Sequence, residues 1–179
     1  MQKKKIYIEI QIPDPIRRRL AKKIEQWSDL PIKWSKEESL HLTVSFVGYV
    51  DESVIPEICE KVSEAVESLE SFDLELTKIL LSPDVADPRM VVLNGEVSDE
   101  LGNLHGAVQD ALGMKTQQYK QFRANLMLGK IRKEKWDQLA EKPVIDEKVH
   151  IIVPVDCVSV MESKGGGAEY ISLEDCPLG

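Results

Sequence analysis

Leu40-His41-Leu42-Thr43-Val44-Ser45-Phe46-Val47-Gly48 decides how this chain reads. Its apolar residues recur at every second position, the period of a strand with one face in a core. Strict alternation puts Leu42, Val44 and Phe46 on the core face and His41, Thr43, Ser45 and Val47 on the other. Residues two apart on a strand project side by side, so an imidazole and a hydroxyl address one point. The imidazole can move a proton near neutral pH, and the hydroxyl can donate to a phosphate oxygen, with Ser45 continuing the same face. Taken alone, the tripeptide is weak evidence, and a structural histidine beside a β-prone threonine is its default reading.

Working outward, residues 5–12 (KIYIEIQI) alternate with isoleucines on one face, predicting a half-buried opening strand. Asp14-Pro15 opens a helix to about Trp27 whose apolar stripe runs through Ile16, Leu20, Ala21 and Ile24. Arg17, Arg18, Arg19, Lys22 and Lys23 fall largely off that stripe and read as a solvated face. After a short strand within 30–39 and the deciding strand comes a helix over 53–69, with Cys59 in its apolar stripe. Strands over 72–81 and 89–97, a helix capped by Ser98, a strand over 122–131 and a short helix around Trp136 follow. One long strand is expected over 148–161, and Gly165-Gly166-Gly167 reads as a hairpin turn before a return strand. Helix followed by alternating strand ending in glycine occurs twice, at Gly48 and at Gly129. The expectation is an α/β (α+β) fold: one bilobal domain over 1–179, two mainly antiparallel sheets flanking a central cleft, and helices outside.

Composition narrows the functional classes. Of 179 residues, 42% are hydrophobic and 30% charged, which suits a globular core and excludes a collagen-like or wholly disordered chain. Lysine and arginine number 23 against 31 acidic residues, and a net charge of −8 argues against broad duplex binding. A pocket for one phosphate or one RNA end stays open, because local donors decide that. Cys59, Cys157 and Cys176 show no metal or disulfide spacing and fit a reduced cytoplasm. No stretch approaches the ~20 apolar residues of a membrane span. His105 lies near the apolar stripe of its helix and His150 opens a distant strand, so the three histidines give no metal-ligand pattern.

The opening strand, the approach and motif IKWSKEESLHLTVSFVG, the helix LHGAVQDALGM, the segment FRANLMLGKI and the end VDCVSVMES resemble the 2H phosphoesterase superfamily. The resemblance is specifically to its 2'-5' RNA ligase and RNA 2',3'-cyclic phosphodiesterase branch. It implies two H-x-T motifs facing each other across a cleft, one histidine as general base, the other as general acid, and threonines on the phosphate. It further implies no metal or other cofactor, and as partner an RNA terminus or nucleotide carrying a 2',3'-cyclic phosphate; a monomer is expected. His41 and Thr43 match the first motif. At the second, 84 residues after His41, Asn125 stands where the histidine belongs and Met127 where its threonine belongs. Asparagine does not exchange a proton near pH 7 and methionine has no hydroxyl, so hydrolysis is expected to be weakened or lost. Lys130 matches a basic residue common after the second motif, and Arg123 lies two positions before Asn125; both are candidate phosphate contacts. The alternative is a pseudoenzyme that binds a nucleotide or RNA end without turnover.

Overall fold

The computed structural model describes residues 2–114, 122–167 and 169–179. Among them, nine strands form one hydrogen-bonded sheet in the order β7-β4-β5-β6-β3-β1-β8-β9, with β2 paired to β6. They are β1 (Lys3–Gln11), β2 (Ile32–Trp34), β3 (His41–Asp51), β4 (Phe72–Ser82), β5 (Met90–Gly95), β6 (Ala124–Ile131), β7 (Asp146–Val155), β8 (Cys157–Lys164) and β9 (Glu169–Pro177). The helices are α1 (Asp14–Ile24), α2 (Ile55–Val66), α3 (Asp99–Ala111) and α4 (Lys133–Asp137). All strand pairings among the described residues are antiparallel.

The two mainly antiparallel sheets expected are the two halves of one continuous sheet. The half built from β1, β3, β8 and β9 meets the half built from β2, β4, β5, β6 and β7 where β3 pairs with β6, at Leu42 opposite Leu126. The expected strand over 148–161 divides at Asp156, since β7 pairs with β4 at one end of the sheet while β8 pairs with β1 in the other half. Pro154 closes the first piece on an edge strand, where its missing N–H costs no ladder bond.

One face of the β3 half carries α2 and α3, which pack on each other and on β9 and β3. Ser98 caps α3, its hydroxyl accepting from the Leu101 N–H at 3.2 Å, as its position before the apolar run predicts. Helix α1 reaches toward the other half, with Lys23 Nζ 3.0 Å from Glu147 and Arg19 donating to the His150 carbonyl. Strand β1 is buried on both faces in its centre, Ile6, Tyr7, Ile8, Glu9 and Ile10 all being nearly inaccessible. The half-buried strand expected there is corrected: its polar face is turned toward a covered cavity.

A bulge in β3 changes what that cavity receives. Glu9 pairs with Thr43 and Ile8 with Ser45, so Val44 is the extra residue. Val44 and Ser45 are consequently both buried, and Phe46 returns to the face of His41 and Thr43. This reverses the strict alternation: Ser45 belongs to the core side, where Gln109 donates to its hydroxyl at 2.8 Å, and Phe46 is 66% exposed. Strand β6 has a matching irregularity at Leu128, between the pairs Val92–Met127 and Val91–Gly129.

Candidate active site

A cavity of about 410 Å³ opens on the face of the sheet opposite α2 and α3. Strand β3 contributes His41, Thr43 and Phe46, and β6 contributes Asn125 and Met127 from across the seam. Met90 and Val92 of β5 form part of the apolar wall, and Lys5 and Tyr7 of β1 stand opposite the β8–β9 hairpin, which adds Ser163, Gly166, Gly167 and Tyr170. The two sequence motifs thus share one cavity. Arg123 and Lys130 are exposed and outside its lining; Lys130 pairs with Met90 and Lys33 along the backbone. The cation among the lining residues is Lys5, which no motif or spacing singles out.

His41 is held in one tautomer. Its Nδ1 lies 2.7 Å from the Ser39 carbonyl oxygen, and a carbonyl only accepts, so Nδ1 carries the proton and a neutral ring keeps its lone pair on Nε2. Burial lowers the histidine's pKa from its ordinary value; the Ser39 bond opposes that shift, and the Arg17 charge adds to it. A neutral imidazole with an unprotonated Nε2 is a ready proton acceptor. Its ring packs against Tyr7 at a centroid distance of 5.2 Å and Tyr170 at 5.5 Å, and Tyr7 and Tyr170 meet edge to face at 5.8 Å.

This trio separates the cavity from a smaller one of about 210 Å³, lined by Glu9, Gln11, Arg17, Glu38 and Ser172 together with the rear of the same rings. Glu9 is 3% exposed, and burial raises its carboxyl to about 7 despite the lowering charge of Arg17. Arg17, expected on a solvated helix face, is half-buried, and its Nε has no hydrogen-bond partner among the described residues. The Tyr7 hydroxyl is likewise buried without one, and burial first, then the nearby Glu9, raises its pKa, so it stays a donor.

At the second motif Asn94 Nδ2 donates to Asn125 Oδ1 at 2.5 Å, which leaves the Asn125 amide protons as its remaining donors. Met127 is 41% exposed and presents an apolar side chain. The two other histidines are accounted for elsewhere. His105 Nδ1 lies 2.7 Å from the Val44 carbonyl and its ring stacks on Phe122 at 4.0 Å, tying α3 to the bulge; His150 pairs with Glu75 at the surface. Gly165, Gly166 and Gly167 all have positive φ, as a tight β8–β9 turn requires. Among the described residues no group of three or more His, Cys, Asp or Glu is arranged to hold a metal. None of their helices is long and apolar enough to cross a membrane.

One antiparallel sheet thus sets the H-x-T pair of β3 beside Asn125 and Met127 of β6, its hydrogen-bonded neighbour, over a single cavity. Residues 10–92, which include His41 and Thr43, match the family model described as LigT like Phosphoesterase. The chain is 26% identical over 140 residues to an RNA 2',3'-cyclic phosphodiesterase of Thermotoga maritima, covering 75% of each. It is 24% identical over 132 residues to one of Archaeoglobus fulgidus, covering 73% of this chain and 74% of the relative. Among solved structures, E. coli LigT complexed with 3'-AMP superposes with a TM-score of 0.77 at 16% identity, covering 99% of both chains. A Thermus thermophilus protein gives the same TM-score of 0.77 at 18% identity over 97% of both. The chain is thus similar to the LigT-like phosphoesterases over residues 10–92 and to RNA 2',3'-cyclic phosphodiesterases over about three quarters of its length, and it shares the fold of E. coli LigT.

Proposed function

We propose that this protein recognises the 2',3'-cyclic phosphate end of an RNA or nucleotide in the 410 Å³ cavity, with hydrolysis weakened or lost. The observation that carries the reading is the convergence of His41 and Thr43 with Asn125 and Met127 on one cavity. In this reading Thr43, the Asn125 amide and Lys5 hold the phosphate, and Phe46 and Tyr170 offer aromatic faces for a base. The RNA 2',3'-cyclic phosphodiesterases among its relatives and the 3'-AMP complex of E. coli LigT support that ligand class.

Opening the ring would join a water oxygen to phosphorus and break the P–O3' bond, with Nε2 of His41 taking the water's proton. The departing O3' also needs a proton. A second histidine supplies it in a two-histidine site; here the Asn125 amide is no acid at neutral pH, so the one imidazole must return its own proton. A positioned acid is worth ~10²- to 10⁴-fold in rate, which is the deficit expected.

Turnover of a nucleoside 2',3'-cyclic phosphate tests this, with binding recorded in parallel for the natural chain, His41→Ala and the double substitution Asn125→His, Met127→Thr. Saturable binding with slow or absent turnover, and faster turnover in the double variant, is the expected result. Efficient turnover by the natural chain that survives His41→Ala would overturn the assignment of His41. Absence of binding in every variant would remove the ligand class itself.

A further inference from the structure

The geometry points to Glu9 as a positioning residue for His41: its buried carboxylate supplies the counter-charge to the imidazolium formed when Nε2 takes a proton. This rests on the reading of His41 as the acid/base group and names what sets its proton affinity. Glu9 Oε2 lies 3.7 Å from His41 Nδ1, and Glu9 is 3% exposed. Its backbone pairs with Thr43 while Gln11 pairs with His41, so the antiparallel register itself brings the carboxylate beneath the H-x-T pair. The Tyr7, His41 and Tyr170 rings stand between Glu9 and the larger cavity, whose lining excludes it. Glu9 therefore acts on a ligand only through the imidazole.

The groups around Glu9 fix the sign of its effect. Arg17 of α1 attracts its ionised form, Asp175 of β9 opposes it, and burial opposes it most. Asp175 is itself engaged by Ser159 at 2.7 Å and Ser172 at 3.4 Å. Glu38, Tyr7 and Tyr170 line the same smaller cavity. Where Glu9 is ionised, above about 7, its carboxylate is a negative group 3.7 Å from Nδ1 and favours a protonated ring, against the Arg17 charge that disfavours one. Two groups so close titrate as a couple, with steps that belong to the pair.

NMR titration of the His41 ring, without ligand, in the natural chain, Glu9→Gln, Glu9→Asp and the control Glu38→Gln tests the assignment. The natural chain should show two inflections at His41; Glu9→Gln should show one, with at least a tenfold lower proton affinity. Glu9→Asp should restore the second inflection in part, and Glu38→Gln should match the natural chain. A single inflection at the same pH with and without Glu9 would overturn it. The carboxyl carbon of Glu9, followed in the natural chain and in His41→Ala, gives the reciprocal reading should Glu9→Gln fail to fold, because coupling acts equally in both directions. No turnover enters these measurements, so they fail independently of the proposed ligand.

Discussion

Ionising Glu9 inside the fold has a cost that folding stability reports directly. Its carboxyl rises from an ordinary 4.5 to about 7, chiefly by burial, so the folded protein holds that proton more tightly than the unfolded chain does. Below pH 4.5 the group is protonated in both states and nothing is lost. Between 4.5 and 7 the unfolded chain releases the proton and the folded one keeps it, so stability falls with rising pH; above 7 the loss levels off. At 1.36 kcal/mol for each unit of pKa, the full loss is about 3 kcal/mol. Glu9→Gln keeps the shape and removes the ionisation, so its stability relative to the natural chain should rise by about 3 kcal/mol between pH 4 and pH 8. The lowered pKa of His41 acts the other way on both proteins, since stability is lost as pH falls through the region where the unfolded imidazole charges. Taking the difference between the two proteins isolates the carboxylate, and any further fall of the His41 pKa in the variant adds to the same trend. Urea denaturation at half-unit pH steps is the assay, and the relative midpoint should move by about 1 M or more across the range. Parallel stability curves from pH 4 to pH 8 would refute the buried, proton-holding carboxyl.

Two packing predictions test the frame around the site. A methyl added at Gly129 would lie 2.7 Å from Ile32 Cγ2 and 2.8 Å from the Trp34 ring, so Gly129→Ala should cost ~1–3 kcal/mol, read as a fall in Tm; an unchanged Tm would contradict the close approach of β2 to β6. Leu42 is fully buried where the two halves of the sheet meet, and Leu42→Ala should cost ~2–5 kcal/mol by chemical denaturation, with a smaller loss refuting a tightly packed seam.

The H-x-T pair was legible because His41 and Thr43 precede the bulge, where period two still holds. Three residues later it does not: the extra residue at Val44 exchanges the faces of Ser45 and Phe46, and a bulge leaves no mark in an apolar run such as Val44-Ser45-Phe46-Val47. The division at Asp156 was hidden for a related reason, since apolar residues continue on both sides and only the change of pairing partner separates β7 from β8. Glu9 escaped notice because the isoleucines of β1 define a core face and leave Tyr7, Glu9 and Gln11 looking solvated. What covers that second face, α1 with Arg17 and the β8–β9 hairpin with Tyr170, is tertiary and comes from both ends of the chain.

The orientation of the Asn125 amide also bears on how an acid could be restored. Asn94 presents a donor, Nδ2, to position 125. In Asn125→His, an imidazole nitrogen accepting that bond cannot also carry a proton, so a neutral ring accepting at Nδ1 would hold its proton on Nε2. The Ser39 carbonyl does the reverse to His41, drawing the proton to Nδ1 and leaving Nε2 as a base. A backbone acceptor on one side and a side-chain donor on the other therefore prepare opposite tautomers across one cavity, a base at 41 and an acid at 125. The gain from Asn125→His, Met127→Thr should then depend on Asn94: adding Asn94→Ala should remove at least tenfold of the restored turnover while leaving nucleotide binding within about twofold, since the tautomer acts on proton transfer. Steady-state kinetics on a nucleoside 2',3'-cyclic phosphate separates kcat from KM for this comparison, and equal kcat with and without Asn94 would show that the amide does not set the ring's protonation.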